Sequence, residues 1–481
     1  MLYEEYLDLT VYKMLERMEA RFGEKSLFFY MEKGEIREIT YRHFFRDVRK
    51  LAAYLLREGL RGTYILVDSR NTYEQIVSMF AASSMGAVPV LVSFNLPEDE
   101  IRNVLDRVAP SLIIFDAEDE EIIEDVREQR KEPHMRFLCC TGKGETVREI
   151  LTSETELYEE QNGADPCGPA IVLMTSGSTS RSKLVVLPHY AMLPHSEVWT
   201  ERSIFVLPMY HIAGLNILIN DMARGTPVCL SSLKNGFRDI GWFRPRDVFA
   251  VPSFVNRLIK KSREHTVDIS CFQNVSSGGA PQSLDTVAYL NERGIFSMSL
   301  YGATETAGMV DYSTPSTYRY GSVGKPGPWN QIRISPEGEI LVKGKNVMLG
   351  YLGEPEATRE ALQDGWYHTG DVGYLDQDGF LFITGRIKNI IILSNGENVS
   401  PEALEQKLIC CGDIDEAIVY GKDDVITTSI WCGNDGGPEK QARIKQYIEE
   451  YNKTVPTYYR IRKTVFRNEP FQKTDSGKIR R

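Results

Sequence analysis

The chain has 481 residues, too many for one hydrophobic core, so two or three domains are expected. Its 42% hydrophobic and 26% charged content is that of a soluble globular protein. A net charge of -11 argues against a general binder of nucleic acid or acidic membrane, which needs a basic surface.

Residues 1–22 carry Val11, Leu15 and Met18 at helical spacing, and residues 41–56 repeat the pattern with Phe44, Val48, Leu51 and Leu55 on one stripe. Both stripes predict core and no chemistry. Residues 64–67 read as a strand, 74–85 as a helix stopped by Gly86, 88–92 as a strand, 101–108 as a helix and 112–115 as a strand. This alternation predicts a parallel α/β sheet. Residues 118–132 are strongly charged and predict a solvated helix and connection.

The apolar run 170–173 then breaks into Met174-Thr-Ser-Gly-Ser-Thr-Ser-Arg-Ser-Lys183. Small side chains leave backbone N–H groups free to point at phosphate oxygens, hydroxyls add donors, and a lysine adds a point charge. The stretch therefore reads as a strand feeding a phosphate loop. It is not of the Walker type, because Ser182 stands where the second glycine belongs and Leu184 follows Lys183. Taken alone, it reads equally well as a Ser-rich surface loop.

Beyond it the α/β pattern resumes, with strands at 203–207, 228–230, 248–251 and 272–276 and helices at 212–223 and 253–261. The last of these strands ends in Ser277-Gly278-Gly279-Ala280-Pro281. From about residue 310 the texture becomes β-rich with tight turns, such as Pro336-Glu337-Gly338. The last hundred residues predict a separate small domain, with helices at 401–409 and 440–452 and a basic tail at 459–481.

The eight cysteines include two adjacent doublets and no CxxC pair, which suggests a reducing compartment and mostly buried thiols. The acidic N-terminus lacks a signal-peptide pattern, and no run approaches the roughly 20 apolar residues of a membrane span. A cytoplasmic protein with no stable membrane insertion is expected.

Four further stretches accompany the phosphate loop. They are Pro208-Met-Tyr-His211-Ile-Ala-Gly214, Tyr301-Gly302-Ala-Thr304-Glu305-Thr306, Tyr367-His-Thr-Gly370-Asp371, and Lys473-Thr-Asp-Ser-Gly477-Lys478. In this order, and with Gly385-Arg386 between the last two, they resemble the adenylate-forming superfamily of acyl-CoA synthetases, luciferases and peptide-synthetase adenylation domains. The resemblance spans residues 41–481. Asn395-Gly-Glu-Asn-Val-Ser-Pro401 and Asn452-Lys-Thr-Val-Pro456 look most like fatty-acyl-CoA synthetases.

The resemblance implies an α/β fold: a large N-terminal part of several subdomains with parallel sheets and a β-rich segment (1–385), a hinge (386–388), and a small mobile α+β C-terminal lid (389–481). It implies a ligase that joins a carboxylate to the α-phosphate of ATP, releases pyrophosphate and passes the acyl group to the thiol of coenzyme A. Two anions must meet, so cations and donors are needed where charge develops. Thr175, Ser176, Gly177, Ser178, Thr179 and Lys183 would hold the β- and γ-phosphates. Glu305, with Thr175 nearby, would bind Mg²⁺.

By the same resemblance Gly278, Gly279 and Ala280 would form a flat face for adenine, with Tyr301 stacking on it and Gly302 and Thr304 beside it. Asp371 and Arg386 would meet the ribose. His211 would line the passage between acyl pocket and thiol. Lys478 would bridge the carboxylate and α-phosphate oxygens, and Lys388 matches the position at which the small domain rotates away after adenylation.

Each of these residues has a plainer reading: Glu305 as a solvated carboxylate, Gly278 to Ala280 as a turn, Asp371 as a turn residue, His211 as a structural histidine and Lys478 as a solvated tail lysine. The family favours glycine at Ser180, proline at Ser182 and glycine at Leu184, so slower ATP use is expected from the stiffer loop. Two other functions remain open: loading of a phosphopantetheinyl carrier protein acting in trans, and a nucleotide-binding relative without turnover. Leu215, Leu218 and Met298 suggest an apolar pocket for a fatty or aryl acid.

Overall fold

The stripe Phe44, Val48, Leu51 and Leu55 does what its spacing predicts: the helix Tyr41–Arg57 buries all four, and its N-cap Thr40 accepts from the His43 N–H at 3.2 Å. The computed structural model describes residues 2–481 apart from 131–133, 143, 154–155, 161–164, 176–181, 193, 195–200, 281, 310, 313–315, 395–396, 434, 474–478 and 480–481.

Among the described residues the large N-terminal part is built on two seven-stranded sheets. In one, Arg136–Cys139, Leu112–Phe115, Tyr64–Asp68, Val88–Val92 and Pro169–Thr175 run parallel, and Lys183–Pro188 and Gly350–Tyr351 add antiparallel strands at one side. Val67, Leu91, Ile114 and Leu173 are fully buried, as expected of parallel strands covered on both faces.

The other sheet runs Ser299–Leu300, Asn274–Gly278, Asp247–Ala250, Ser203–Phe205, Val228–Leu230, Ser26–Glu32 and Glu35–Thr40. All its pairings are parallel except the last, a hairpin. That hairpin is not apparent from sequence. Ser26–Glu32 lacks alternation, and its inner neighbour, Val228–Leu230, lies two hundred residues along the chain. The strand expected at 272–276 is displaced to Asn274–Gly278, because Ile269, Cys271 and Phe272 pack in the core from the connection before it.

Residues after 310 form the expected β-rich segment, an antiparallel sheet of Asn330–Ile334, Glu339–Gly344, Trp366–Leu375, Leu362–Gln363 and Leu381–Arg386. Near the C-terminus, Glu416–Lys422 and Val425–Trp431 pair antiparallel, and Ile461–Phe466 joins in parallel. The helices Pro401–Ile409 and Pro438–Thr454 cover them. Val399, Leu404, Leu408, Val419, Ile430 and Ile444 make a hydrophobic cluster separate from those of the large sheets. The basic tail is thus partly structural, since residues 461–466 pair within this sheet. Among the described residues no helix is long and apolar enough to cross a membrane.

Candidate active site

Open α/β sheets bind ligands beyond the carboxyl ends of their strands, and Thr175, Gly278 and Tyr301 stand at or just past such ends. Thr175 ends one strand and Lys183 begins the next, and the two are register partners. The loop between them is therefore closed at its base by the ladder. Ser176, Gly177, Ser178 and Thr179 lie outside the described residues. On the far side of the loop Arg107 donates to the Ser182 carbonyl at 2.8 Å, and the Lys183 ammonium stands 4.3 Å from the centroid of the Tyr351 ring.

Both loop strands pack against the turn Thr304–Thr306, which carries Glu305. The turn sits at the tip of a small hairpin, Gly302–Ala303 with Gly308–Met309. Glu305 is held twice: its carbonyl accepts from the Met348 N–H at 2.8 Å, and its Oε1 accepts from the Tyr351 hydroxyl at 2.8 Å. Burial first, and the Glu305 carboxylate second, push the Tyr351 phenol well above its ordinary value, so it stays a donor. After the turn Ala307 takes a left-handed conformation (φ 54°), and its carbonyl accepts from the buried Asn216 amide at 2.8 Å.

Tyr301, Asp371 and Arg386 form one contact set. The Tyr301 hydroxyl donates to Asp371 Oδ2 at 2.7 Å, and Arg386 Nε lies 2.7 Å from Oδ1. Asp371 and Arg386 are directly opposite across the ladder of Trp366–Leu375 with Leu381–Arg386. The intervening turn sets that register: Asp376 Oδ1 accepts from the Asp378 and Phe380 N–H groups at 3.0 and 2.9 Å. Asp371 is 5% exposed, while Arg386 is half exposed.

Tyr367 links the two groups. Burial raises its phenol far above the ordinary value, with Glu305, Tyr351, Tyr301 and Asp371 all contributing. Lys388 joins from the turn Ile387–Asn389. Burial first, and the Arg386 guanidinium second, hold its ammonium below the usual lysine range, with Lys183 adding to the effect.

The strand Asn274–Gly278 delivers Gly278 where a side chain has no room, since a Cβ would lie 2.7 Å from the Phe249 ring and 3.1 Å from the Leu300 carbonyl. Gly279 and Ala280 follow with exposed backbone. His211 caps the helix Ile212–Arg224, its N–H donating to the Pro208 carbonyl at 3.1 Å. The helix comes so close to this loop that a Cβ on Gly214 would stand 2.5 Å from the Pro208 oxygen. Gly214→Val is therefore expected to destabilise the protein by about 1–3 kcal/mol, read as a lower urea midpoint with unchanged slope.

Lys478 lies outside the described residues. Its flanks are anchored to the small domain: Glu416, 5% exposed, accepts from the Phe471 N–H at 2.8 Å and pairs with Lys473.

Several contributors escape sequence reasoning. Asn71 (φ 63°) donates to the Leu207 carbonyl at 2.8 Å and accepts from the Met209 N–H at 3.0 Å, tying the approach to His211 to the first sheet. Nothing near Asn71 in the chain announces this. Asn216 does leave a trace, because Asn216 and Asn220 recur at i, i+4 in a helix whose charged residues, Asp221 and Arg224, come only in its last turn. Leu215 and Leu218, predicted to shape an acyl pocket, are fully buried in the largest core cluster.

These residues fit a nucleotide and a magnesium ion. The Gly278 cradle leaves flat backbone, Asp371 presents two acceptor oxygens, and among the described residues no group of three acidic, His or Cys side chains competes for a metal. Mg²⁺ commonly binds through one or two carboxylates plus substrate phosphates, the arrangement that Glu305 allows.

The profile described as "AMP-binding enzyme" matches residues 15–352, and that of the "AMP-binding enzyme C-terminal domain" matches 388–481. A feruloyl-CoA synthase of Amycolatopsis sp is 27% identical over 473 residues, 92% of each chain. The anthranilate CoA ligase AuaEII, solved with anthranoyl-AMP, superposes with a TM-score of 0.87 at 21% identity, covering 98% of this chain and 96% of that one. The o-succinylbenzoate coenzyme A synthetase MenE of Bacillus subtilis, solved with ATP and magnesium, gives 0.80 at 23% identity over 97% and 98%.

Proposed function

The chain belongs to the AMP-binding enzyme family, and on that premise we propose that it is an acid–thiol ligase. It joins an acyl or aryl carboxylate to the α-phosphate of ATP, releasing pyrophosphate, and then transfers the acyl group to coenzyme A. The observation that carries this reading is the meeting of Tyr301, Asp371 and Arg386 with Glu305 and Lys183 through the Tyr351–Tyr367 pair. The relatives above, which are CoA synthases and ligases, one solved with an acyl-adenylate and one with ATP and magnesium, support the same chemistry.

In this mechanism Lys183 and the loop that it closes hold the β- and γ-phosphates. Glu305 would hold Mg²⁺, which would supply charge neutralisation at the phosphate oxygens. Asp371 receives the ribose hydroxyls, and Tyr301, kept protonated by burial and the Asp371 carboxylate, orients it. The adenine lies along Gly278 to Ala280. Carboxylate and α-phosphate repel as they approach, and Lys478 on the small domain offsets the charge that develops between them. Rotation about 386–388 then withdraws Lys478 and opens the His211 side to the thiol.

The test is ATP–pyrophosphate exchange against medium-chain, long-chain and aromatic acids, followed by thioester formation with coenzyme A. Acid-dependent exchange and a CoA ester are expected. A thioester formed only on a carrier protein would reassign the acceptor, and ATP binding without exchange for any acid would replace the ligase with a nucleotide-binding relative that does not turn over.

A further inference from the structure

Gly344 ends the strand Glu339–Gly344, paired with Asn330 at the start of Asn330–Ile334. Its φ is not left-handed, so the backbone makes no demand for glycine there. Space makes the demand. A Cβ on Gly344 would stand 2.5 Å from the Trp329 carbonyl oxygen, 2.6 Å from Asn346 Oδ1 and 2.8 Å from Asn330 Oδ1. Three oxygens thus converge over the face that the glycine leaves bare.

Two of these oxygens are unmatched. Asn330 is 7% exposed and Asn346 2%. Among the described residues no hydrogen-bond partner reaches Asn330 Oδ1, Asn330 Nδ2 or Asn346 Oδ1. The orientation of Asn346 is set by its other end, where Nδ2 donates to the Thr306 carbonyl at 2.6 Å. A carbonyl only accepts, so Oδ1 is the atom turned toward Gly344. Buried acceptors without donors are costly, and gathering three oxygen dipoles at low dielectric adds to the cost.

The neighbouring ammonium groups are engaged elsewhere. Lys343 Nζ stands 5.9 Å from the centroid of the Trp366 ring, and Lys345 Nζ lies 2.9 Å from Asp8 Oδ1. The three converging oxygens are themselves neutral. Mg²⁺ and Ca²⁺ sites draw on carboxylates, whereas carbonyl oxygens alone suit a monovalent ion such as K⁺.

The segment after Gly344 also holds the turn that carries Glu305. Asn346 bonds Thr306 at the end of that turn, and the Met348 N–H donates to the Glu305 carbonyl at 2.8 Å. A cation on Asn346 Oδ1 would polarise the amide and strengthen its Nδ2 bond to Thr306.

We propose that Asn330, Asn346 and the Trp329 carbonyl form a site for a monovalent cation, Na⁺ or K⁺, which steadies the Glu305 turn from the side away from the phosphate loop. Binding of the ion does not depend on the ligase reading, but its effect on MgATP rests on it. By linkage the ion and MgATP raise each other's affinity by the same factor.

The experiment has two arms on the full chain, thermal melts without nucleotide and acid-dependent pyrophosphate exchange. In each, tetramethylammonium chloride is replaced stepwise by KCl or NaCl at constant ionic strength. A saturable rise in melting temperature is expected, together with a KM for MgATP lowered roughly 5-fold or more. The ion with the lower half-saturating concentration is the one the site takes. Asn330→Ala should lose both responses. Asn330→Asp, close in shape and carrying a charge, should keep them with half-saturation at lower concentration. No saturable response, as from two amides bonded to each other, would overturn the inference and leave the ligase standing. So would an undiminished response in Asn330→Ala, or an unchanged half-saturation in Asn330→Asp. Melts that respond with an unaltered KM would overturn the link to Glu305. Melts that respond while no acid supports exchange would uphold the site and overturn the ligase reading.

Discussion

Glu305→Gln is expected to lower the rate of pyrophosphate exchange by about 10²- to 10³-fold with little change in stability. The substitution keeps shape and an acceptor oxygen, so the Tyr351 hydroxyl retains its partner and the Met348 N–H still meets the backbone carbonyl. What disappears is the negative charge proposed to hold Mg²⁺ against the phosphates. Metal stabilisation of a developing charge amounts to several kcal/mol, and each 1.36 kcal/mol is tenfold in rate. The check is exchange at a series of Mg²⁺ concentrations beside a denaturant melt. A variant that exchanges at the wild-type rate at low Mg²⁺ would remove Glu305 from the metal site.

Asp371→Ala should raise the KM for ATP by roughly 10²-fold, with a smaller effect on kcat. Two effects compete in this substitution. The Asp371–Arg386 pair is broken, but Arg386 is half exposed, and an ion pair of that kind contributes about 1 kcal/mol or less. In the proposed complex the ribose would lose two charge-assisted hydrogen bonds, each worth about 1.5–3 kcal/mol. The second effect is the larger, so the defect should appear in nucleotide affinity. Titration with ATP and a thermal melt, run together, separate them. A large fall in melting temperature with unaltered ATP affinity would make Asp371 a structural residue only.

The motifs were legible in the sequence because each is a local device. A strand that ends in small hydroxylated residues, a glycine run after an apolar stretch and an Asp turn before Gly379 each announce themselves within ten residues. The turn even carries long-range information, since Asp376 fixes the hairpin register that sets Asp371 opposite Arg386. Helices were legible where one face is apolar, as in Tyr41–Arg57 and Pro401–Ile409. The hairpin at Ser26–Thr40 was not, because its inner partner is supplied by Val228–Leu230.

The sequence by itself determined the alternation of strands and helices, the phosphate-loop stretch, and the identities and order of the residues proposed to meet ATP. These depend on side-chain period and on turn chemistry, which act between neighbours in the chain. Only the tertiary structure decided which side of Ile212–Arg224 is buried in the core and how Tyr351 and Tyr367 stand between Glu305 and Asp371. A helix read alone has two candidate apolar faces when Leu215, Ile217 and Leu218 are all available, and a carboxylate read alone is presumed solvated. The choice is made by what packs against them, and in a parallel sheet those partners arrive from distant parts of the chain.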